Sequence, residues 1–436
     1  MAATKKKRKL SEKTVPPLDT KWHKQDRFGL FIHWGLYSSG ARHEWLKKQE
    51  RMTTEEYQKY FDHFNPDLYD PRRWAKAAKN AGMKYFAITT KHHDGFCMWD
   101  SAHTDYKITN TPYGKDVLRP MVDAFRDEGL KVCLYHSLLD WHHPEYTIDQ
   151  MHPLCGHPTE KKLPKRNMAE YRKYLHAQVE ELMTQFGKIH MVWFDFSFEG
   201  VIGYKDKNAK SWGAEKLVKM VRTLQPGIMI NNRLGMDCEP DFVTPEQYQP
   251  EFWPTNDKGQ RQVWEGCQTF SGSWGYHRDE DNWKSTKTLL WVLIDSVSKG
   301  GNLLLNVGPN GRGELDARTL DRLEGIGRWM RVNSRSVYGC TASKFTAPPN
   351  CCYTQNGKRL YLHFMQWPIR NVRLPGLFGK IKYAQFLHDA SEIAITEGKF
   401  EQIQTEGMNM DAKSVRLDLP TKQPDVDIPV IELFLK

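Results

Sequence analysis

The sequence predicts a (β/α)8-type barrel followed by a small antiparallel β-sandwich. Three observations carry this. Short apolar, β-branched runs alternate with amphipathic helical stretches about seven times between residues 20 and 339, the rhythm of a parallel barrel. Polar residues stand at the ends of those runs, where a barrel puts its active site. Past Cys340 the helical spacing stops, and alternating strands take over around Asn356 and Gly357, a hairpin signal.

Taken in order, residues 1–19 are Lys-rich and polar and are expected to be a disordered tail. Residues 28–35 read as a first strand ending in His33. Thr53 and Glu56 form a capping box for a helix to about Phe61. A helix over 74–80 leads to a strand over 85–90, which runs into Lys91, His92, His93 and Asp94. Another helix, near 121–128, precedes the strand 131–136. Met168, Tyr171, Leu175, Val179, Leu182 and Phe186 recur at helical spacing up to Gly187. The strand 190–197 follows and carries one carboxylate, Asp195, between Phe194 and Phe196. A carboxylate in an apolar strand needs a partner or a cavity.

Further on, a helix ends at Pro226, and strands are expected over 228–233 and 262–267. The polar, Pro-rich stretch 237–260 between them reads as an active-site loop. A helix over 289–297, a strand over 302–308 and a helix over 320–329 complete the barrel. Residues 340–436 hold the short strands of the sandwich, at 353–365, 382–387, 415–419 and 430–435.

Composition narrows the function. Aromatic residues make up 12% of the chain, with 15 Trp, which suits a cleft for sugar rings. The formal charge is +10, but part of it lies in the run Lys5 to Lys9 and the rest is scattered. That run resembles a nuclear-localisation patch and reads as a solvated tail, so no specific nucleic-acid partner is expected. No apolar segment is long enough to span a membrane, and no secretory h-region follows the basic run. None of the eight Cys has C-x-x-C spacing, and two are adjacent. Reduced thiols in the cytoplasm are expected, or a secreted form that has lost its signal peptide. The oligomeric state stays open.

His33, His92, His93, His136, Asp195 and Arg233 all end predicted strands. A metal site is the first alternative. Adjacent strand residues face opposite ways, so His92 and His93 are poorly placed to share one ion, and no metal is expected. Hydrogen bonding to a polyhydroxylated ligand is the other reading, and it requires the chain to bend past the strand, which Gly95 permits. The Gly-rich segment 307–313 lacks the spacing of a phosphate loop and reads as a barrel loop.

The motifs Phe28 to Tyr37, Glu44 and Trp45, Lys91 to Phe96, Trp193 to Asp195 and Asn302 to Pro309 together resemble the retaining α-L-fucosidases of glycoside hydrolase family 29. The resemblance runs in the family's order from about residue 20 to 340. It implies Asp195 as catalytic nucleophile and contacts to fucose from His33, Glu44, Trp45, His92, His93, Trp193 and Arg233. It implies no cofactor, and a fucosylated oligosaccharide or glycoconjugate as substrate. Phe196 and Ser197 depart from the Gly that several relatives carry there. The acid/base is less fixed: Glu246 matches the position some members use, Glu265 is the rival, and Glu239 and Glu251 are further candidates. Glu265 otherwise reads as a structural partner for an Arg. A sugar-binding relative that has lost turnover is the competing function; the presence of Asp195 and several glutamates argues against it.

Overall fold

Barrel strands form where alternate side chains can be buried on both faces. In the computed structural model, which describes residues 18, 20–197, 207–236, 240–397 and 415–436, these are β1 (Phe28–Ile32), β2 (Tyr85–Lys91), β3 (Lys131–Ser137), β4 (Met191–Asp195), β5 (Met229–Ile230), β6 (Glu265–Thr269) and β7 (Asn302–Val307). All pair in parallel, in the order β5-β4-β3-β2-β1-β7-β6. One face of each strand points to the barrel axis, giving a core of Phe31, Tyr85, Cys133, Tyr135, Trp193, Met229, Cys267 and Leu304. The other face packs under the helices through Leu30, Phe86, Leu134, Val192 and Leu305. This is the double burial that all-parallel sheets require.

The region expected to be only a loop does more. Residues 242–246 run up between β5 and β6 and close the ring through isolated parallel bridges: Phe242 to Asn231, Val243 to Trp264 and Glu246 to Cys267. They act as an irregular eighth strand. Phe242, Val243 and Thr244 are strand formers, but the run is only three residues long before Pro245 and sits in a polar, Pro-rich stretch, so its signal is too short to mark a strand. Two neighbouring strands also differ from expectation: β5 is two residues long, and β6 begins at Glu265 rather than residue 262.

The helices fall near their expected places, slightly extended, as in Pro71–Asn80 and Ala317–Asn333. Thr53 and Glu56 form the capping box reciprocally. The short helix Lys21–Asp26 plugs the bottom of the barrel, where Asn302 Nδ2 donates to the His23 carbonyl at 2.8 Å.

Beyond the barrel lie a five-stranded antiparallel sheet and a three-stranded one, packed on a core that includes Leu360, Leu374, Ala384, Val415 and Leu433. Strands Cys351–Asn356 and Arg359–Phe364 form the hairpin, with Gly357 at φ 54°. This β-sandwich is tied to the barrel by Trp329, whose indole donates to the Ile428 carbonyl, and by an Arg335–Glu432 ion pair. Cys133 and Cys267 are buried free thiols, as expected of strand positions. The basic run Lys5 to Lys9 and Cys238 lie outside the described residues.

Candidate active site

Strand ends set the site. At the C-terminal mouth of the barrel, Phe31, His33, Trp45, His92, His93, Tyr135, Trp193, Asp195, Phe196, Arg233, Glu246, Cys267 and Trp274 line a pocket of about 390 Å³. Larger clefts exist on the surface, but this one gathers the titratable groups.

Asp195 is the last residue of β4. Its inward parity with Trp193 and Met191 points the carboxylate to the axis. Oδ1 accepts from Arg233 Nη1 at 2.8 Å, Oδ2 accepts from the Tyr135 hydroxyl at 2.8 Å, and His93 Nε2 is 3.8 Å away. Burial alone would push this carboxyl up, but the Arg233 charge, with His93 and Tyr135, outweighs it and holds the group below its ordinary value. Asp195 is therefore kept ionised.

Glu246 ends the closing segment 242–246. Its Oε2 lies 2.6 Å from Arg233 Nη2, and its side chain is 38% exposed against 12% for Asp195. One guanidinium thus spans both carboxylates, with its charge 4.6 Å above the Trp193 ring. Arg233 is steadied further by Thr244, which accepts from Nε at 2.9 Å. Burial opposes the charge on Arg233, and Asp195 and Glu246 overcome it.

Both His92 and His93 face the pocket, because β2 ends at Lys91 and strand alternation no longer applies. The turn needs Gly95 at φ 83°; a Cβ there would meet Asp140 Oδ1 at 2.3 Å. The two rings lie 4.2 Å apart, and His33 is 5.5 Å from His92. Burial drives His33 down to about 3, His93 to about 4 and His92 well below its usual value. All three are neutral imidazoles at ordinary pH. Among the described residues no group of three His, Cys, Asp or Glu has the geometry to hold a metal ion.

Trp45 packs edge-on against His93 at 5.1 Å and tilts toward Phe196 at 5.6 Å. Phe196, just after Asp195, has φ 82°, a strained conformation for a bulky residue. Glu44 is not a wall of the pocket. It sits behind Trp274, accepting from the Trp274 and Gly275 amides at 3.1 and 2.9 Å, and burial raises its carboxyl.

Two further expectations change. His136 does not reach the pocket. Cys133 and Tyr135 occupy the inward positions of β3, so His136 points outward, 3.1 Å from Thr90 Oγ1. Glu265, the rival acid, begins β6 at the opposite end of the barrel and is fully buried. Its carboxylate accepts from Tyr85 at 2.5 Å and from Trp193 Nε1 at 3.3 Å and pairs with His23 at 3.0 Å. From there it cannot touch a ligand in the pocket; it is a structural partner, though of a His and a Tyr rather than an Arg. Glu251 is exposed and absent from the pocket wall, and Glu239 lies outside the described residues.

Sequence reasoning missed Phe31, Tyr135, Cys267, Trp274 and Phe196 as pocket walls. Strand parity would have found the first three: Phe31 shares a face with His33, Tyr135 with Cys133. Trp274 sits in a loop with no periodic signal.

A mouth-of-barrel pocket with two carboxylates and aromatic walls defines a glycosidase-like site. The α-L-fucosidase family profile matches residues 2–335. α-L-Fucosidase isoenzyme 1 from Paenibacillus thiaminolyticus superposes with a TM-score of 0.88 at 45% identity, over 96% of this chain and 98% of that one. A Bacteroides thetaiotaomicron α-L-fucosidase of glycoside hydrolase family 29, trapped as a covalent intermediate with 2-fluoro-fucosyl fluoride in a glutamate-to-glutamine mutant, matches with a TM-score of 0.80 at 28% identity, over 95% of each chain. Bovine (Bos taurus) tissue α-L-fucosidase is 28% identical over 385 residues, 81% of this chain and 77% of its own length. The chain belongs to the α-L-fucosidases of glycoside hydrolase family 29. It is a glycoside hydrolase, and no helix among its described residues is long and apolar enough to cross a membrane.

Proposed function

We propose that this α-L-fucosidase is an exo-acting, retaining enzyme that removes terminal α-L-fucosyl residues from oligosaccharides or glycoconjugates by double displacement. Asp195 is the nucleophile and Glu246 the acid/base. The observation that carries this reading is the single Arg233 guanidinium bonded to both carboxylates, one buried and one half-exposed. Side chains that share one guanidinium suit the separation of about 5–5.5 Å that a retaining pair needs.

In the first step an Asp195 oxygen attacks the anomeric carbon while the glycosidic bond breaks, and Glu246 gives its proton to the departing oxygen. In the second, Glu246 takes a proton from water as that water displaces the aspartyl ester. Neutral His33, His92 and His93 bond the ring hydroxyls. The methyl group of the 6-deoxy sugar rests against Phe31, Tyr135, Trp193 and Trp274, where a hydroxymethyl group would be poorly received. Because Glu246 lies on the solvent side, the leaving sugar extends outward, in keeping with exo action.

The test is hydrolysis of 4-nitrophenyl α-L-fucoside in buffer containing methanol, followed by NMR. Methyl α-L-fucoside as the first product supports retention. A β-configured first product overturns it, and absence of nitrophenol release overturns the activity itself.

A further inference from the structure

Asn306, on β7, points into the barrel and is 2% exposed. Its amide is oriented by a neighbour that can only accept: Nδ2 donates to the Trp274 carbonyl at 2.7 Å. Turning the amide over would press two oxygens together, so the network fixes its orientation. The amide oxygen Oδ1 is then 2.6 Å from His33 Nδ1. An amide oxygen cannot donate, so the proton of that bond belongs to His33 Nδ1.

A neutral imidazole carries one N–H, so Nε2 of His33 is a bare lone pair. It has no hydrogen-bond partner among the described residues, and the ring lines the cavity. The titratable groups facing His33 are His92 and His93 beyond β2, Tyr135 on β3 and Asp195 on β4; none donates to it. The same Asn306 amide also anchors the loop carrying Trp274, whose ring lies 5.0 Å from that of His33.

We propose that Asn306 is a positioning residue that locks His33 as a hydrogen-bond acceptor, so that the pocket selects a ligand hydroxyl able to donate its proton to Nε2. This rests on the reading of the pocket as the fucose site. It adds a requirement that shape does not impose: at this position a group that only accepts is rejected, however small.

Two measurements test it. The first uses the unmodified protein and calorimetric binding of L-fucose and its 2-, 3- and 4-deoxyfluoro analogues. Fluorine matches the size of a hydroxyl but cannot donate, so at least one analogue should bind roughly 10- to 100-fold more weakly, the cost of leaving a buried acceptor unpaired. If fucose binds and all three analogues bind within threefold of it, the inference fails while the function stands. If fucose does not bind and the aryl fucoside is not cleaved, the reading of the function fails and takes the inference with it.

The second uses Asn306→Asp. A carboxylate still accepts from Nδ1 but favours the imidazolium, which bears a proton on Nε2 as well. An added ionisation should appear on the acid side of the kcat/KM profile, with activity falling as pH drops through it and recovering as pH rises. Below it, the penalty for the disfavoured fluoro analogue should shrink at least tenfold. A drop in activity equal at every pH, with the analogue ranking unchanged, would mean that Asn306 only holds the fold together, and would overturn the proposal.

Discussion

Replacing Arg233 with Ala removes the one positive charge that both carboxylates share. The contacts are 2.8 Å to Asp195 and 2.6 Å to Glu246, which puts the charge centres about 4 Å apart. At the effective dielectric suited to a partly buried pair, each such interaction is worth about 4 kcal/mol before reorganisation. Asp195, the more buried partner, feels most of it. Without Arg233, burial is opposed only by His93 and the Tyr135 hydroxyl, and two carboxyl groups face each other with no cation between them. One should then keep its proton at pH values where Asp195 is normally ionised. A protonated nucleophile cannot attack, so the acid limb of kcat/KM for 4-nitrophenyl α-L-fucoside should move to higher pH. Its plateau should fall by roughly 10²- to 10³-fold, about 3–4 kcal/mol of lost transition-state stabilisation. Arg233→Lys should fall in between, because an ammonium keeps the charge but cannot bridge two carboxylates or lie flat on Trp193. If Arg233→Ala keeps kcat/KM within fivefold and leaves the acid limb in place, the guanidinium is not what holds the nucleophile ready.

Asp195→Ala should lose at least ~10³-fold in kcat, and with azide Asp195→Gly should yield β-fucosyl azide. Glu246→Ala should cripple natural fucosyl linkages while partly sparing activated aryl fucosides, and azide should restore turnover with an α-fucosyl azide product. The reverse pattern of azide products would exchange the two roles. Glu265→Ala should cost roughly 3–5 kcal/mol of folding stability, because His23, Tyr85 and Trp193 lose a shared buried acceptor. Denaturant midpoints measure this, and any azide rescue in that variant would contradict a purely structural role. Burial holds His33 and His93 at about 3 and about 4. Both should thus stay uncharged as pH falls from neutrality until it approaches those values, and ¹⁵N spectra of histidine-labelled protein should show neither ring titrating near 6.5; a transition there would mean the pocket is wetter than its packing implies.

Much of this site could be read from the chain because barrels separate packing from chemistry. An apolar run must end before a polar residue can face the axis, so His33 and Asp195 announced themselves by position alone. Parity is the finer rule, and ignoring it put His136 in the pocket and left Tyr135 out of it. Glu265 misled for a related reason. A glutamate within an apolar strand does mark an inward position, but not whether that position lies at the mouth or the floor, and only the start of β6 at residue 265 decides it. The stretch 237–260 was legible as functional and illegible as structure. Its polar composition hides a short strand whose ladder to β6 is interrupted at Pro245. Glu44 carries a further lesson, since a residue can shape a pocket from behind its wall.

The two carboxylates proposed as nucleophile and acid/base stand on ground of different firmness. Asp195 ends a strand with neighbours along its length on β3, whereas Glu246 ends a segment whose bonds to β6 are interrupted at Pro245, which has no N–H, and which meets the β5 side at the single Asn231–Phe242 bridge. Amide hydrogens of 242–246 should exchange with solvent sooner than those of β4, because opening that segment breaks fewer bonds and exposes less apolar surface. Short of one ladder bond at Pro245, that seam holds its end of the rim less stiffly than β4 holds Asp195.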